Sequence, residues 1–481
     1  MASIVGPETS QDKPLPGLLP SLLLLPPPPR PVARDALSAA YRPPLEAAIS
    51  KLRSERRGDG AVLIIAVIAP FLDSHPQQPH RKTLSWPGAQ TLAAGLYGLV
   101  SVICTRLGVP TELHGGPGSV DARVVLVDHD PSRRYAGDSA GALAFTTTLA
   151  IETNNTVLVD LASFAAAYHP WHRIYHANTE EGNALLTTYL RLLERRVLQP
   201  MPRPLRQDQL VMVPGGLAMT IAAPSGPAPE AATELRRTVC LGGTFDHLHP
   251  GHKLLLHAAV LLLDVPEPGS ALQAGAGGAR AGEPCRLIVG ITGDELLRRK
   301  KYAELVQPWD MRAEYVIEFL CTLLSLSKRG WADPLQRSGD ANPSGEEEAT
   351  ARRGEDCLDT RVVTRTADEL VINFRGGVVE VQCVVIHDMY GPTATREDVD
   401  ALVVSGETRS GGQAVNKKRA ELGWHALEVF EVNVLDAEET GGGGASGDNA
   451  PTKTEDFASK ISSTAIRKQK AEAAATTGPR V

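Results

Sequence analysis

The segment Thr238–Lys253, TVCLGGTFDHLHPGHK, constrains this chain more than any other. An apolar, partly β-branched run ends in Gly242-Gly243 and passes through Thr244-Phe245-Asp246. It then meets His249-Pro250-Gly251-His252 at the head of a helical pattern, GHKLLLHAAVLLLD. A strand that runs into a helix over so few residues is the beginning of an α/β pattern. Glycines at the strand's carboxyl end let the backbone approach a ligand closely. The free N–H groups and positive dipole end of the next helix suit a phosphate. Two imidazoles three residues apart would face the same phosphates. As hydrogen-bond donors they would stabilise charge that develops during phosphoryl or nucleotidyl transfer. A lone histidine here would more simply cap the helix; a pair behind GGTFD outweighs that.

The alternation continues on both sides of this segment. Downstream, CRLIVGIT, VVEVQCVVIH, DALVVSG and ALEVFEVNVL read as strands, while MRAEYVIEFLCTLLSLS and GQAVNKKRAELG read as helices. Upstream, AVLIIAVI, ARVVLVDHD and NTVLVDLASF are strand-like. PLEAAISKLRSER, GAQTLAAGLYGLVSVICTRLG and NALLTTYLRLLERRVLQ are helical. The expected architecture is α/β throughout: a parallel-sheet domain over residues 236–475, preceded by a second α/β domain over 43–215. A turn-rich linker at 216–235 joins them, and the proline-rich 1–42 reads as a flexible leader. At 481 residues the chain is long enough for two cored domains.

Composition narrows the class. Gly 44 and Pro 36 are in excess. Outside the leader and linker the glycines gather in three stretches, near 266–284, 333–358 and 437–457, which read as flexible insertions between elements of the 236–475 domain. Lys+Arg 49 against Asp+Glu 56 gives a net charge of −7, which argues against a nucleic-acid-coating surface or a polybasic membrane handle. The longest apolar run, Ala61–Leu72, is too short to span a bilayer. Six cysteines without a C-x-x-C pair suit a reducing compartment. No basic n-region precedes the N-terminal leucines, so a cytoplasmic or nuclear setting is expected.

A second element stands near the C-terminus. In Ile461-Ser462-Ser463-Thr464-Ala465-Ile466-Arg467 the hydroxyls and N–H groups of a helix start are followed one turn later by an arginine that can clamp phosphate oxygens. With it, G-G-T-F-D-x-x-H-x-G-H resembles the signature of the H-x-G-H nucleotidyltransferase superfamily, whose I-S-S-T-x-x-R element Ile461–Arg467 also matches. The segments between narrow the likeness. Val289–Leu297 with Arg299-Lys300-Lys301, Gln307–Arg312 (QPWDMR), Asp388–Thr393 (DMYGPT) and Val403–Gly412 (VVSGETRSGG) before Ala414-Val415-Asn416 resemble eukaryotic-type phosphopantetheine adenylyltransferase. The likeness is to the adenylyltransferase part of CoA synthase, and it covers about residues 236–470 apart from the insertions.

The resemblance implies a Rossmann-like nucleotidyltransferase domain. It would move the adenylyl group of ATP to 4′-phosphopantetheine, giving dephospho-CoA and pyrophosphate. It also implies roles. Thr244 would position the attacking phosphate, His252 would stabilise charge at the α-phosphate, and His249 would contact the nucleotide phosphates. Lys300 or Lys301 would neutralise the acceptor or the α-phosphate, although either lysine also fits a solvated basic patch. Gly242, Gly243 and Phe245 would border the nucleotide, and Ser462, Ser463, Thr464 and Arg467 would hold the β/γ-phosphates. Arg409 is a further nucleotide contact, and Glu407 would shape the same site. Mg²⁺ is expected as the ATP counter-ion, with Asp246 a weak candidate for direct contact and no resident protein metal site.

No P-loop, G-x-x-x-x-G-K-[ST], occurs in the chain, so the likeness is to the monofunctional fungal type, with another protein phosphorylating dephospho-CoA. Association with other enzymes of coenzyme A synthesis is a further expectation, and a pathway scaffold with secondary catalysis is the alternative of another class. Within enzymes the alternatives are nicotinamide mononucleotide adenylyltransferase and cytidylyltransferase, against which the SGETRSGG loop argues. His169, His172 and His176 have a spacing that could meet on one helix face, and packing is the simpler expectation for them than a metal site. Asn154-Asn155-Thr156 fits a glycosylation sequon without a signal peptide to give it meaning, and Gly115–Ser119 reads as a turn.

Overall fold

The computed structural model describes residues 19–55, 60–75, 78–133, 154–167, 171–194, 205–217, 232–266, 283–325, 361–432 and 462–477. Two open sheets, each covered by helices, organise these residues.

The first is six-stranded and parallel, and its middle is built from unbroken apolar runs. A strand buried on both faces needs such a run in place of alternation. Its elements are β1 (Ser21–Leu25), β2 (Ala61–Ala69), β5 (Val120–Asp128), β6 (Val159–Asp160), β7 (Ile174–Asn178) and β8 (Leu210–Pro214), in the order β6-β5-β2-β1-β7-β8. A small antiparallel pair, β3 (Leu72–His75) and β4 (Gln78–Leu84), stands beside it. The helices are α1 (Arg34–Glu55), α2 (Trp86–Leu107), α3 (Leu161–Ala167) and α4 (Glu180–Glu194).

Ser85 caps α2, accepting from Gly88 N at 3.2 Å, and Gly108 ends it with φ +60°, a left-handed turn that glycine adopts without strain. Among the described residues α2 alone is long and apolar enough to cross a membrane, but it is a core helix, buried along most of its length.

The second sheet has the order β11-β12-β13-β10-β9-β14-β15. Its strands are β9 (Thr238–Gly243), β10 (Cys285–Thr292), β11 (Arg361–Arg365), β12 (Glu369–Phe374), β13 (Val379–Ile386), β14 (Ala401–Ser405) and β15 (Glu428–Val432). From β13 to β15 the strands are parallel, while β11 and β12 add an antiparallel edge. The helices are α5 (Pro250–Val260), α6 (Asp294–Leu297), α7 (Trp309–Leu324), α8 (Arg409–Glu421) and α9 (Ser463–Thr477). Chain order runs from β9 to β10 on one side and returns to β14 on the other. The carboxyl ends of β9 and β14 therefore form a topological switch point, where open α/β sheets bind ligands. This is a Rossmann-like domain preceded by a further α/β domain.

The two domains share one apolar core. Trp86 Nε1 donates to Ala258 O at 2.8 Å, and its ring meets Phe430 edge-on at 5.1 Å. Arg375 donates to Thr156 O and Val157 O across the boundary at 3.2 and 2.6 Å.

Several expectations need correction. The flexible leader does not extend over 1–42. Leu22–Leu25 are fully buried in the centre of the first sheet, between β2 and β7, and α1 begins at Arg34 and runs through Pro43-Pro44. The proline runs concealed a strand whose burial comes from partners distant in sequence. His176 lies in β7, and His172 precedes it with Nε2 3.4 Å from Glu55, so the histidines share no helix face; His169 lies outside the described residues. The linker expectation at 216–235 covers residues 218–231, which are not described, but Thr233 N bonds to Leu84 O at 3.1 Å. Residues 267–282, 333–358 and 437–457, the glycine-rich insertions, lie outside the described residues.

Candidate active site

Gly242 and Gly243 end β9 beside Gly290 and Ile291 of β10, and Gly242 is open to solvent. A Cβ on Gly243 would stand 3.1 Å from the Phe245 ring, so a larger residue there requires that ring to give by a few tenths of an ångström. The next residues are tightly wound: Phe245 (φ 52°) and His247 (φ 45°) are both left-handed, a conformation that is costly for residues other than glycine and is held by their surroundings. His247 N donates to Gln307 Oε1 at 2.7 Å, and its Nε2 lies 2.9 Å from Leu305 O.

Phe245 is fully buried, so it does not line the open face at the end of β9. Its ring supports that of His252, centroid to centroid 5.3 Å. Thr244 is half-buried, and its carbonyl accepts from Arg312 Nη1 at 2.7 Å. Arg312 also donates to Gln307 O, Thr292 O and Asp294 Oδ1 at 2.9, 2.8 and 2.6 Å. It thereby ties α7 to the ends of β9 and β10.

His249 caps α5, with Nδ1 accepting from Gly251 N at 3.2 Å. That bond leaves the neutral ring's proton on Nε2. His252 stacks on it, with centroids 3.9 Å apart and planes at 25°. Burial, with His252, His247 and Lys253 nearby, holds the His249 imidazolium well below the ordinary histidine range. Burial and the His247 charge lower His252 to about 3. Both rings are therefore neutral donors at physiological pH. The Nδ1 of His252 is buried and has no protein hydrogen-bond partner.

The C-terminal helix α9 meets the same loop. Ser462 Oγ accepts from Ala465 N at 3.2 Å, and Ser463 Oγ donates to Asp246 O at 2.8 Å. Arg467 is 2% exposed. Its Nη1 pairs with Asp246 Oδ2, its Nη2 donates to Thr464 Oγ1 at 3.1 Å, and its Nε donates to Lys301 O at 3.1 Å. The expected grip of Arg467 on β/γ-phosphates is corrected accordingly: its guanidinium holds three chain segments together and is shielded from solvent. The Thr464 hydroxyl is engaged with it. What α9 turns toward the loop is its N-terminus, whose free N–H groups remain suited to an anion.

Asp246 was the weak candidate for metal contact. It is fully buried, with Oδ1 accepting from Gln307 N at 2.9 Å and Oδ2 paired to Arg467, so it does not face a metal on the nucleotide. Among the described residues no three His, Cys, Asp or Glu side chains gather as a metal site.

Lys300 and Lys301 lie after α6 with exposed side chains, and geometry does not choose between them. Arg409 opens α8 just past β14, and its Nε and Nη2 each reach a carboxylate oxygen of Glu431 at 2.6 Å. Glu407 is exposed in the turn before it. Ile461 lies outside the described residues. The structure thus brings Gly242–His252 against Ser462–Arg467, while Arg409 borders the switch point from the neighbouring strand. Arg312, Gln307 and His247 are the positioning residues that motif reading did not single out. Their only signal was position: His247 lies within Thr238–Lys253, and Gln307 and Arg312 bound the QPWDMR segment.

Residues 7–219 match the model of a domain of unknown function, DUF8446. The chain is 30% identical over 240 residues to phosphopantetheine adenylyltransferase of Saccharomyces cerevisiae, covering 50% of each chain. It is 28% identical over 235 residues to an uncharacterised protein of Schizosaccharomyces pombe, covering 49% of this chain and 48% of that one. It is 26% identical over 199 residues to phosphopantetheine adenylyltransferase of Pyrococcus horikoshii, covering 41% of this chain and 79% of the archaeal protein. The chain spans about half the length of the two yeast relatives. Over half of its own length it is a distant relative of proteins named phosphopantetheine adenylyltransferase.

Proposed function

We propose that the C-terminal domain transfers the adenylyl group of ATP to 4′-phosphopantetheine, releasing pyrophosphate and giving dephospho-CoA. One observation carries this reading. Two stacked, neutral imidazoles stand at the N-terminus of α5, facing a switch point that the N-terminus of α9 also borders. Relatives bearing the adenylyltransferase name support the choice of substrates.

The chemistry follows from the groups present. A phosphate oxygen of the acceptor attacks the α-phosphorus of ATP in line. The new O–P bond forms as the bond from the α-phosphorus to the β-phosphate's bridging oxygen breaks, and pyrophosphate leaves with that electron pair. No protein nucleophile is required, so rate comes from positioning and from donors aimed at the developing charge. His252 and the Nε2–H of His249 supply donors, and the N-terminal N–H groups of α5 add a fixed positive field. Thr244 lies between β9 and these rings and orients the acceptor phosphate; Lys300 or Lys301 neutralises it. Mg²⁺ enters with the triphosphate as part of the substrate.

The deciding experiment is a panel of ATP or CTP with 4′-phosphopantetheine or nicotinamide mononucleotide, read as pyrophosphate release by the full chain. Turnover is expected with ATP and 4′-phosphopantetheine, and His252→Ala should lower it at least ~10²-fold, the scale of losing a main charge stabiliser. Turnover confined to nicotinamide mononucleotide or to CTP would replace this reading with one of the other transferases.

A further inference from the structure

One short stretch of the N-terminal domain, residues 110–123, touches the elements that carry the candidate site. Lys253, the residue after His252 on α5, is fully buried. Its Nζ donates to Asp121 Oδ1, to Thr111 O at 3.1 Å and to Ala122 O at 3.2 Å. A buried ammonium is tolerated only where its protons find acceptors. Lys253 finds three, and all three belong to the other domain. In the loop before the histidines, Leu248 O accepts from Leu113 N at 3.0 Å. On α9, Lys470 reaches Glu112 Oε1 at 3.4 Å, one turn past Arg467.

Asp121 is itself held rigidly. Its Oδ2 accepts from Nε and Nη2 of Arg123 at 2.8 and 2.6 Å, and Arg123 continues to Glu318 Oε1 on α7 at 2.7 Å. Burial alone would raise the Asp121 carboxyl, but the Arg123 and Lys253 charges outweigh it and draw it down to about 2. The carboxylate is thus a permanent anchor, and the first turn of α5 takes its position from outside its own domain. Misplacing reacting groups by about 1 Å can cost ~10²-fold in rate.

We propose that the N-terminal domain is a working part of the candidate active site, with Asp121 as a positioning residue. It acts through Lys253 to hold His249 and His252 in place against the N-terminus of α9. In its kinetic form the proposal rests on adenylyl transfer at that site.

The test uses the full chain with two changes, Asp121→Asn and Lys253→Met, made together. The pair removes the buried charge along with its anchor, and Asn can still accept from Arg123, so the variant is expected to fold. If Asp121 positions the histidines, kcat falls at least ~10-fold while KM for ATP stays within about twofold, because ground-state contacts to the nucleotide persist. Asp121→Glu, which keeps the carboxylate, should retain more activity than the double variant. A double variant with wild-type kcat would overturn the proposal. A second readout needs no substrate. The ring Cε1–H resonances of His249 and His252 should move in the double variant, and unchanged resonances would equally overturn it. If the wild-type chain does not turn over ATP and 4′-phosphopantetheine, the proposed function fails, and the ring resonances still decide the positioning role.

Discussion

Arg467 of α9 pairs through Nη1 with Oδ2 of Asp246, joining the C-terminal helix to the loop that precedes the two histidines, and both side chains are buried. The pair closes the site mechanically. The loop's left-handed residues Phe245 and His247 hold their conformations because Asp246, between them, is fixed from both sides.

Removing one partner of such a pair strands a buried charge. Arg467→Met should cost about 3–5 kcal/mol. For a domain of this size that is a fall in Tm of at least about 6 °C, measured by calorimetry. Arg467→Lys should not restore turnover. A lysine ammonium cannot reproduce a planar fork that reaches Asp246, Thr464 and the Lys301 carbonyl together. Wild-type kcat in Arg467→Lys would show that charge alone suffices.

These contacts explain what could be read from the chain beforehand and what could not. His249 and His252 were legible because strand, glycine turn and helix start are contiguous, and the local sequence dictates their juxtaposition. The Asp246–Arg467 pair joins residues 221 positions apart, and no local pattern reports it. Lys253 carries no local sign of burial, and its partner Asp121 comes from β5, 132 positions away in the chain. The antiparallel strands β11 and β12 were missed because RVVTR and ELVINF are short and flanked by charge.

Acid stability should depend on His257. It lies on α5 beside a small apolar cavity between the domains, with Val125, Leu158 and Leu323 among the lining residues. Burial lowers its pKa to about 4. An unfolded histidine titrates near ~6.5, so between these values the unfolded chain binds more protons and stability falls as pH falls. The contribution is fully present above about pH 6.5, and about 3 kcal/mol of it is gone by pH 4. His257→Leu removes that titration. Its Tm should match or exceed wild type at pH 7 and decline less steeply between pH 6.5 and 4. Parallel Tm–pH curves for the two proteins would show that His257 does not titrate in this way.

Arg409 is held by Glu431 in a two-pronged pair whose arginine side chain is 60% exposed. An exposed pair contributes about 0–1 kcal/mol, so Arg409 can leave it for a nucleotide phosphate at little cost. Glu431→Gln should leave Tm within about 2 °C while lowering KM for ATP, because the competing carboxylate is gone. Arg409→Ala should raise that KM. If neither variant changes KM, Arg409 makes no contact with the nucleotide.

The first sheet depends on residues that look dispensable by composition. Leu22, Leu23, Leu24 and Leu25 are fully buried, and β1 pairs in parallel with β2 on one side and β7 on the other. Without β1 the remaining five strands fall into two groups, β6-β5-β2 and β7-β8, with no hydrogen-bonded connection between them. The β2–β5 unit carries Asp121, and so the anchor of Lys253. A single Leu24→Asp buries an unpaired carboxylate between two strands, which costs several kcal/mol. Limited proteolysis should then cleave the N-terminal domain rapidly. Where any of the chain stays folded, turnover should fall with it, because the first turn of α5 loses its outside support. A Leu24→Asp protein as protease-resistant as wild type would show that the sheet does not need this strand.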